Sequence, residues 1–225
     1  MEWFPLDLGD LAYRPRYNVA PTQEILTYGA VTGAARETER GHAEYMRWGL
    51  IPFFQKQGTK PPYNTFNARD DRMTSGMWRN SFRRRRCLVL ADGFYEWKRD
   101  GKKRTPYRIT LASGEPFGFA GLWDEWHDQE RDVTVRSCAI VTTSPNDLMA
   151  SIHDRMPVIL PREAHDMWLD NAISDTDALQ QMLKPYPADL MQAYEVSSIV
   201  NVVKNDSPEC IVPVPGSAPR LLPDE

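Results

Sequence analysis

Short stretches of alternating apolar and polar residues recur along the chain and predict a protein built mainly of β-strands. A period of two turns one face of each stretch toward a core and the other toward solvent, and brief apolar runs suit strands buried on both faces. The stretches with this pattern are Glu24–Val31, Glu44–Trp48, Cys87–Leu90, Phe94–Trp97, Tyr107–Leu111, Phe117–Trp123 and Ser137–Thr142. Turn signals at Asp100-Gly101 and Ser113-Gly114 predict that the middle of the chain is an antiparallel meander.

Helical spacing of apolar residues is rarer, and it predicts a few short helices. Proline in a first turn and aspartate or threonine at a cap are the start signals. The predicted helices are Asp70–Phe82, Pro161–Leu169, Asp175–Leu183 and a short one that Ser144-Pro145 caps and that ends near Ala150. Many strands with few helices predict an α+β fold with a curved or barrel-like antiparallel sheet and peripheral helices.

Composition places the chain among soluble globular proteins of one large domain. Hydrophobic residues make up 41% and charged residues 26% of its 225 positions. We assign residues 1–212 to this domain and 213–225 to an extended proline-rich tail. No apolar run is long enough to span a bilayer and no signal segment opens the chain, so we expect a cytoplasmic location. The three cysteines show no metal-binding spacing, so we expect no zinc site.

Positive charge is concentrated in one part of a chain whose net charge is -4. A basic face on an acidic protein suits a phosphate backbone, and it equally suits a solvated surface without a ligand. Aromatic residues lie near these arginines and lysines, where they fit either base stacking or core packing. The aromatic residues are Trp48, Phe53, Phe54, Trp78 and Trp97. The basic residues are Arg69, Arg72, Arg79, Arg83, Arg84, Arg85, Arg86, Lys98, Arg99, Lys102, Lys103 and Arg104.

Two phrases each hold one titratable side chain in apolar surroundings. Ala91–Lys98 places Glu96 in an aromatic strand, and Ser151–Pro157 places His153 between an isoleucine and an aspartate. A carboxyl group in apolar surroundings has a raised pKa, and histidine titrates near neutrality, so together they would form an acid/base site. From the residues alone, Glu96 also fits an exposed glutamate, and His153 a structural residue bonded to its neighbouring aspartate. Asn67, in Asn-Ala-Arg, fits a turn or helix cap as well as a ligand-binding amide.

These phrases belong to a set of ordered segments that resembles the SOS-response-associated peptidase (SRAP) family. The similar segments are Arg16–Thr22, Trp48–Pro52, Asn67–Arg69, Arg85–Trp97, Ile152–Pro157 and Val203–Cys210. The resemblance implies an α+β fold, a role in the SOS response to DNA damage, and covalent cross-linking to abasic sites in single-stranded DNA. It also implies a peptidase-like removal of the initiator methionine in cis.

The resemblance implies roles for individual residues. Glu96 would be the general acid/base, His153 would hold the sugar oxygen, and Asn67 would position the bound end. The residues expected to contact DNA are Arg69, Trp48, Asn18, Arg85 and Arg86. We expect neither a metal nor an organic cofactor, no membrane partner, and a monomer.

The family's nucleophile is a cysteine directly after the initiator methionine, in a Met-Cys-Gly-Arg opening. Its α-amine and thiol together close a thiazolidine ring on the aldehyde of an open abasic sugar. This chain opens Met1-Glu2-Trp3-Phe4, and no Cys-Gly-Arg occurs in the sequence. Either an upstream segment is absent from this numbering or the protein is a descendant without the nucleophile. Cys87, Cys138 and Cys210 are internal and have no α-amine to offer.

Three hypotheses therefore follow from the sequence. The first is an abasic-site protein that cross-links to single-stranded DNA. The second is a DNA-binding module without a nucleophile. The third, an ordinary peptidase, has the least support because neither a Gly-x-Ser-x-Gly elbow nor a His-Glu-x-x-His motif is present.

Overall fold

A computed structural model describes residues 11–29, 41–60 and 65–217. Its strands are β1 (Glu24–Gly29), β2 (His42–Trp48), β3 (Asn67–Arg69), β4 (Arg86–Ala91), β5 (Phe94–Asp100), β6 (Lys103–Leu111), β7 (Phe117–Asp128), β8 (Val133–Thr143), β9 (Met156–Pro157), β10 (Ile159–Leu160) and β11 (Met191–Glu195). Its α-helices are α1 (Trp78–Arg84), α2 (Asp147–Ala150), α3 (His165–Leu169) and α4 (Thr176–Gln181). Single 3₁₀ turns lie at Asp70–Arg72, Arg162–Ala164, Ala188–Leu190, Ser198–Asn201 and Pro208–Ile211.

Five strands close a barrel, which confirms the predicted α+β fold with a barrel-like sheet. They follow the order β7, β4, β1, β2, β8, and the β7–β8 hairpin completes the circle. Four of the five neighbouring pairs are antiparallel, and β2 with β8 is parallel. The sheet is therefore mixed rather than purely antiparallel, because β8 reaches β2 only after the long excursion of the chain through β3 to β7.

The predicted meander is wrong in its pairing, although every strand in it forms. β5 and β6 make the predicted hairpin across Asp100-Gly101, and Gly101 takes the left-handed φ of +57° that this turn needs. This hairpin leaves the barrel and pairs with β11 in a separate three-stranded sheet. β4 instead pairs with β7. Alternation predicts which face of a strand is buried, but it does not specify the partner strand.

The helix predictions hold in part. Asp175 caps α4 by accepting from the N–H groups of Asp177 and Ala178. Residues 70–82 do not form one helix, because Gly76 adopts a left-handed φ of +57° between a 3₁₀ turn and α1. Asn146, rather than Ser144, caps α2 through its side chain. Val31, residues 61–64 and residues 218–225 of the tail lie outside the described residues, whereas Pro213 bridges to Val196 beside β11.

Strand β4 shows how the alternating pattern organises the core. Cys87 and Val89 point into one apolar cluster, while Leu88 between them points into another that includes Trp168 of α3. Successive residues of a strand face opposite sides, so β4 is packed on both faces. Apolar side chains thus fill the inside of the barrel and cover its outside. This packing makes the barrel a rigid support for the side chains at its rim.

Candidate functional site

Glu96 and His153 lie together, although 57 positions separate them in the sequence. Glu96 is on β5, and His153 is in the loop between α2 and β9, with Nε2 4.0 Å from Oε2 of Glu96. About a quarter of the Glu96 side chain and a third of that of His153 are exposed. The separation exceeds a direct hydrogen bond, so an oxygen atom of a bound molecule has room to contact both groups.

The surroundings of His153 hold its ring in place. Its backbone N–H donates to the carbonyl of Met149 at the end of α2, over 2.8 Å. The backbone N–H of Arg155 lies 3.1 Å from Nδ1, and in the neutral ring this bond leaves the proton on Nε2, facing Glu96. When Nδ1 is protonated, it meets acceptors at 3.2 Å in Asp154 Oδ1 and the carbonyl of Arg155. These contacts on the Nδ1 side fix the ring with Nε2 facing Glu96.

Burial raises the pKa of Glu96 above the ordinary glutamate value. The neighbouring imidazole of His153 opposes this shift, and the nearby carboxylate of Asp154 adds to it, but desolvation is the dominant cause. A carboxyl group with a raised pKa retains its proton closer to neutral pH, where it can both donate and accept. The pair therefore has the character of an acid/base site.

Asp70 supports the loop that contains His153. The sequence pattern did not predict this role for Asp70. Asp70 Oδ1 accepts from Nη2 of Arg155 at 2.9 Å, and Oδ2 accepts from the Thr143 hydroxyl at 2.7 Å. The same Arg155 guanidinium also donates to the carbonyl of Thr142. Asp70 thus ties the end of β8 to the loop that presents His153. No spacing in the sequence signals this contact, because Asp70 and Arg155 are distant in the chain.

Strand β8 brings two of the sequence phrases together. Thr142 pairs with Arg69 of β3 on one side and with Pro157 of β9 on the other. Neighbouring strands lie about 4.8 Å apart, so Arg69 and Pro157 are roughly 10 Å from each other. Asn-Ala-Arg and Ile-His-Asp-Arg-Met-Pro therefore meet at one end of the barrel. Asn67 is exposed on β3 and makes no side-chain hydrogen bond with the described residues.

Arg69 is available to an anion at this end of the barrel. Its side chain is about half exposed and makes a two-pronged pair with Asp71, at 3.0 and 2.7 Å. A solvent-exposed pair of this kind contributes little net energy, so a phosphate can compete with it. Asn67, placed two residues earlier on the same strand, shares its face by the period of two.

Arg86 and Asn18, which the sequence predicts to contact DNA, are both buried and hydrogen-bonded within the fold. Arg86 is fully buried, and its guanidinium donates to the carbonyls of Phe82, Trp168, Asp170 and Ile173. The amide of Asn18 is likewise buried and donates to backbone carbonyls of the segment from Val200 to Asn205. Both side chains use their donors to hold the fold, so neither is left for a phosphate.

Arg85 and Trp48 are half-buried and already engaged. Arg85 pairs with the buried carboxylate of Asp124 and stacks on Trp123, 5.5 Å from the ring centre. Trp48 donates its indole N–H to the carbonyl of Phe66 at 2.9 Å and packs against the barrel core. Only the exposed part of each side chain therefore remains available to contact DNA.

The exposed aromatic rings lie elsewhere. Phe53 and Phe54 are more than half exposed and contact each other edge to face, 5.2 Å apart. The indole of Trp97 instead donates to Asn201 at 2.7 Å, and Trp78 packs against the outer apolar cluster. Phe53 and Phe54 therefore retain free ring faces for stacking, whereas Trp78 serves the core.

The three cysteines are buried and unsuited to nucleophilic attack. Cys87, Cys138 and Cys210 are free thiols with no exposed surface. Burial raises the pKa of Cys138 to about 12 and raises that of Cys87 as well. The thiolate is the reactive form, so Cys87 and Cys138 are inert at neutral pH. Cys210 is fully buried, and its thiol contacts the carbonyl of Asn205.

The described residues form neither a metal-binding cluster nor a membrane-spanning helix. Within residues 11–29, 41–60 and 65–217, no group of three or more His, Cys, Asp or Glu side chains is arranged to hold a metal ion. In the same part of the chain, no helix is long and apolar enough to cross a membrane.

The chain is similar to a known protein family, to two named proteins and to a solved structure. The family model described as SOS response associated peptidase matches residues 5–203. The abasic site processing protein YoqW of Bacillus subtilis (strain 168) is 44% identical over 218 residues, which are 94% of this chain and 92% of the relative. The abasic site processing protein HMCES of Gallus gallus is 32% identical over 237 residues, 92% of this chain and 69% of the relative. A solved structure from Bacteroides thetaiotaomicron has a TM-score of 0.76 at 26% identity, over 86% of this chain and 82% of the other.

Proposed function

The chain belongs to the SOS response associated peptidase family, and from this premise we propose that it processes abasic sites in single-stranded DNA at Glu96 and His153. The observation that carries the proposal is the approach of these two side chains, 4.0 Å apart, where β5 meets the loop after α2, with Arg69 nearby on β3. Relatives named for abasic site processing support the choice of DNA lesion.

An abasic sugar offers a specific chemical target. Its open form is an aldehyde, and a primary amine condenses with that carbon to give an imine and water. The condensation needs a proton for the departing hydroxyl and a base for the amine proton. When the amine belongs to an N-terminal cysteine, its thiol then adds to the imine carbon, and the nitrogen takes up the thiol proton. The product is a five-membered thiazolidine ring.

The described side chains suit these proton transfers. Glu96, with its raised pKa, protonates the leaving hydroxyl and then accepts a proton as the carboxylate. The Nε2–H of His153 holds the sugar oxygen, and the Asn67 amide supports the bound end from β3. Arg69 and the exposed basic side chains pair with phosphates, and Phe53 and Phe54 offer faces for bases to stack on.

The nucleophile distinguishes two versions of this function. In the first, an N-terminal cysteine supplies the amine and thiol, and removal of its initiator methionine accounts for the peptidase in the family description. In the second, the protein binds abasic DNA without a covalent step. Cys87, Cys138 and Cys210 cannot take the place of an N-terminal cysteine, because all three are internal and buried.

The function is tested by covalent trapping on single-stranded DNA that carries one abasic site. A polypeptide of residues 1–225 is expected to bind this strand without forming a heat-stable adduct. A version extended at its N-terminus to begin Met-Cys-Gly-Arg is expected to form the adduct, because loss of the initiator methionine leaves an amine and a thiol on one residue. Denaturing gel electrophoresis measures the adduct, and the same extension with serine in place of cysteine is the matched control.

Two outcomes would contradict the proposal. A heat-stable adduct from the 225-residue polypeptide would mean that another residue supplies the nucleophile. Failure of every version to bind the abasic strand would remove DNA as the substrate.

Binding through phosphates also predicts a steep dependence on salt. On a single strand, log affinity falls with log salt at a slope of about -0.7 for each phosphate neutralised. Arg69→Ala is expected to weaken binding and to flatten this slope by about one phosphate equivalent, roughly 0.7. Fluorescence anisotropy across a salt series measures both quantities. An unchanged slope would show that Arg69 makes no phosphate contact.

A further inference from the structure

Two arginines on one face of helix α1 have no side-chain partner among the described residues. Arg79 and Arg83 are four positions apart, so both project from the same face of α1. With Thr74, Ser174, Asp175 and Thr176 they line a cleft of about 330 Å³. We refer to this as the Arg79–Arg83 cleft.

The guanidinium groups in the cleft lack acceptors. Within the part of the chain that the structure describes, neither Arg79 nor Arg83 has a hydrogen bond or an ion pair from its side chain. The Nε atom of Arg83 is buried without a partner. An unsatisfied buried donor destabilises a protein, and a ligand that supplies an acceptor removes that penalty. The neighbouring arginines differ, since Arg85 pairs with Asp124 and Arg86 is saturated by carbonyls.

The lining of the cleft fits a phosphate group. Two guanidinium groups present planar, forked donors that match phosphate oxygens, and the hydroxyls of Thr74, Ser174 and Thr176 add neutral donors. Asp175 brings one negative charge, but its Oδ1 already accepts from the N–H groups of Asp177 and Ala178. Two positive charges against one negative leave the cleft attractive to an anion.

The cleft lies close enough to the acid/base site to be reached by the same strand of DNA. Gln180 of α4 donates to the backbone carbonyl of Asp70 at 3.0 Å, and Asp70 contacts Arg155 in the loop of His153. Thr176, in the lining of the cleft, begins the same helix about 6 Å away from Gln180 along its axis. A single strand that leaves the rim of the barrel along α4 therefore passes over the cleft.

We propose that the Arg79–Arg83 cleft binds a backbone phosphate of the DNA strand whose abasic sugar lies at Glu96 and His153, a few nucleotides away from that sugar. This inference rests on the proposed function. It assigns phosphate binding to Arg79 and Arg83 in place of Arg85 and Arg86, whose guanidinium groups are engaged within the fold.

The test compares an Arg79→Gln/Arg83→Gln double variant with the parent protein on abasic strands of increasing length. The parent is expected to gain affinity when the strand is extended on the side that reaches the cleft. The double variant is expected to lose this gain, to bind long strands roughly tenfold more weakly, and to show a salt slope flatter by about 0.7. Arg131→Gln, an exposed arginine at the β7–β8 turn, is the matched control and should change none of these quantities.

The possible results distinguish a failure of the phosphate site in the cleft from a failure of the proposed function. If the parent does not bind abasic strands, the proposed function fails. If the parent binds and the double variant, with unchanged thermal unfolding, keeps the length-dependent gain and the salt slope, the cleft is not a DNA contact. Inorganic phosphate should compete only weakly with long strands. If it binds the parent tightly while the double variant keeps its affinity for DNA, the cleft is a site for free phosphate and the proposal is overturned.

Discussion

Glu96→Gln, in a version of the protein that begins Met-Cys-Gly-Arg, is expected to trap abasic DNA about 10²- to 10⁴-fold more slowly than its parent. Glutamine keeps the shape of the side chain and its contacts with the strand, but it cannot take part in proton transfer. Binding should therefore survive while chemistry slows. Single-turnover trapping followed on denaturing gels measures the rate, and Glu130→Gln, an exposed glutamate at the β7–β8 turn, is the matched control.

Substitution of His153 and the pH dependence of stability separate an acid/base role of Glu96 from a structural one. His153→Ala should also slow trapping, and the double variant should lose less than the product of the two single effects, because the residues act as a unit. Burial raises the pKa of Glu96, so the folded protein binds this proton more tightly than the unfolded chain does. That contribution to stability is lost as pH rises from the ordinary glutamate range through the raised pKa.

Glu96→Gln should therefore gain stability relative to the parent as pH rises from about 4 to 8. Urea unfolding across this range measures the difference. A difference that does not change with pH, together with trapping at the parental rate, would show that Glu96 is not the acid/base group.

Arg86→Met is expected to lower the free energy of unfolding by about 3–5 kcal/mol. Methionine fills part of the space, but it supplies no donor to the four backbone carbonyls that Arg86 now satisfies. Those carbonyls belong to α1 and to the segment around α3, so the loss loosens the packing of both against β4. Chemical denaturation measures the change. Burial lowers the pKa of Arg86 to about 10, so the side chain remains charged at neutral pH.

Arg84→Met is the matched control for this prediction. Arg84 is exposed on α1, two positions away, and the same substitution there should stay within about 0.5 kcal/mol of the parent. If Arg86→Met is as stable as Arg84→Met but binds DNA more weakly with a flatter salt slope, then Arg86 is a phosphate ligand after all. Equal salt slopes in a destabilised protein would support a purely structural role.

The run Arg83–Arg86 illustrates why charge along a sequence does not map directly onto a binding face. In the sequence these arginines form one basic block. In the fold, Arg83 lines a cleft and Arg84 is exposed. Arg85 forms an ion pair with a buried aspartate, and Arg86 donates hydrogen bonds to backbone carbonyls. The helix ends and the strand begins inside the run, so each side chain points in a different direction, and only the packed structure reveals which charges are free.

The residue pattern also does not reveal which strands pair with each other. Alternation identified the seven longer strands, since a face that must be buried leaves a direct mark on the residue pattern. It missed β3, β9 and β10, each only two or three residues long, because so short a strand contains no full period. It also missed β11, which has five residues. Asn67 consequently resembled a cap, whereas β8 holds it in a parallel pair beside Ile140.

The family, the α+β fold class and the pair Glu96 and His153 could all be predicted from the amino-acid sequence. These are properties of local composition and of residues in a recognisable order, and Glu96 and His153 each stand in such a phrase. The tertiary structure alone decided that Arg86 and Asn18 serve the fold, that Asp70 supports the loop of His153, and that Arg79 and Arg83 remain free among the described residues. Whether a polar side chain is saturated depends on atoms brought from distant parts of the chain, and that information is absent from any local pattern.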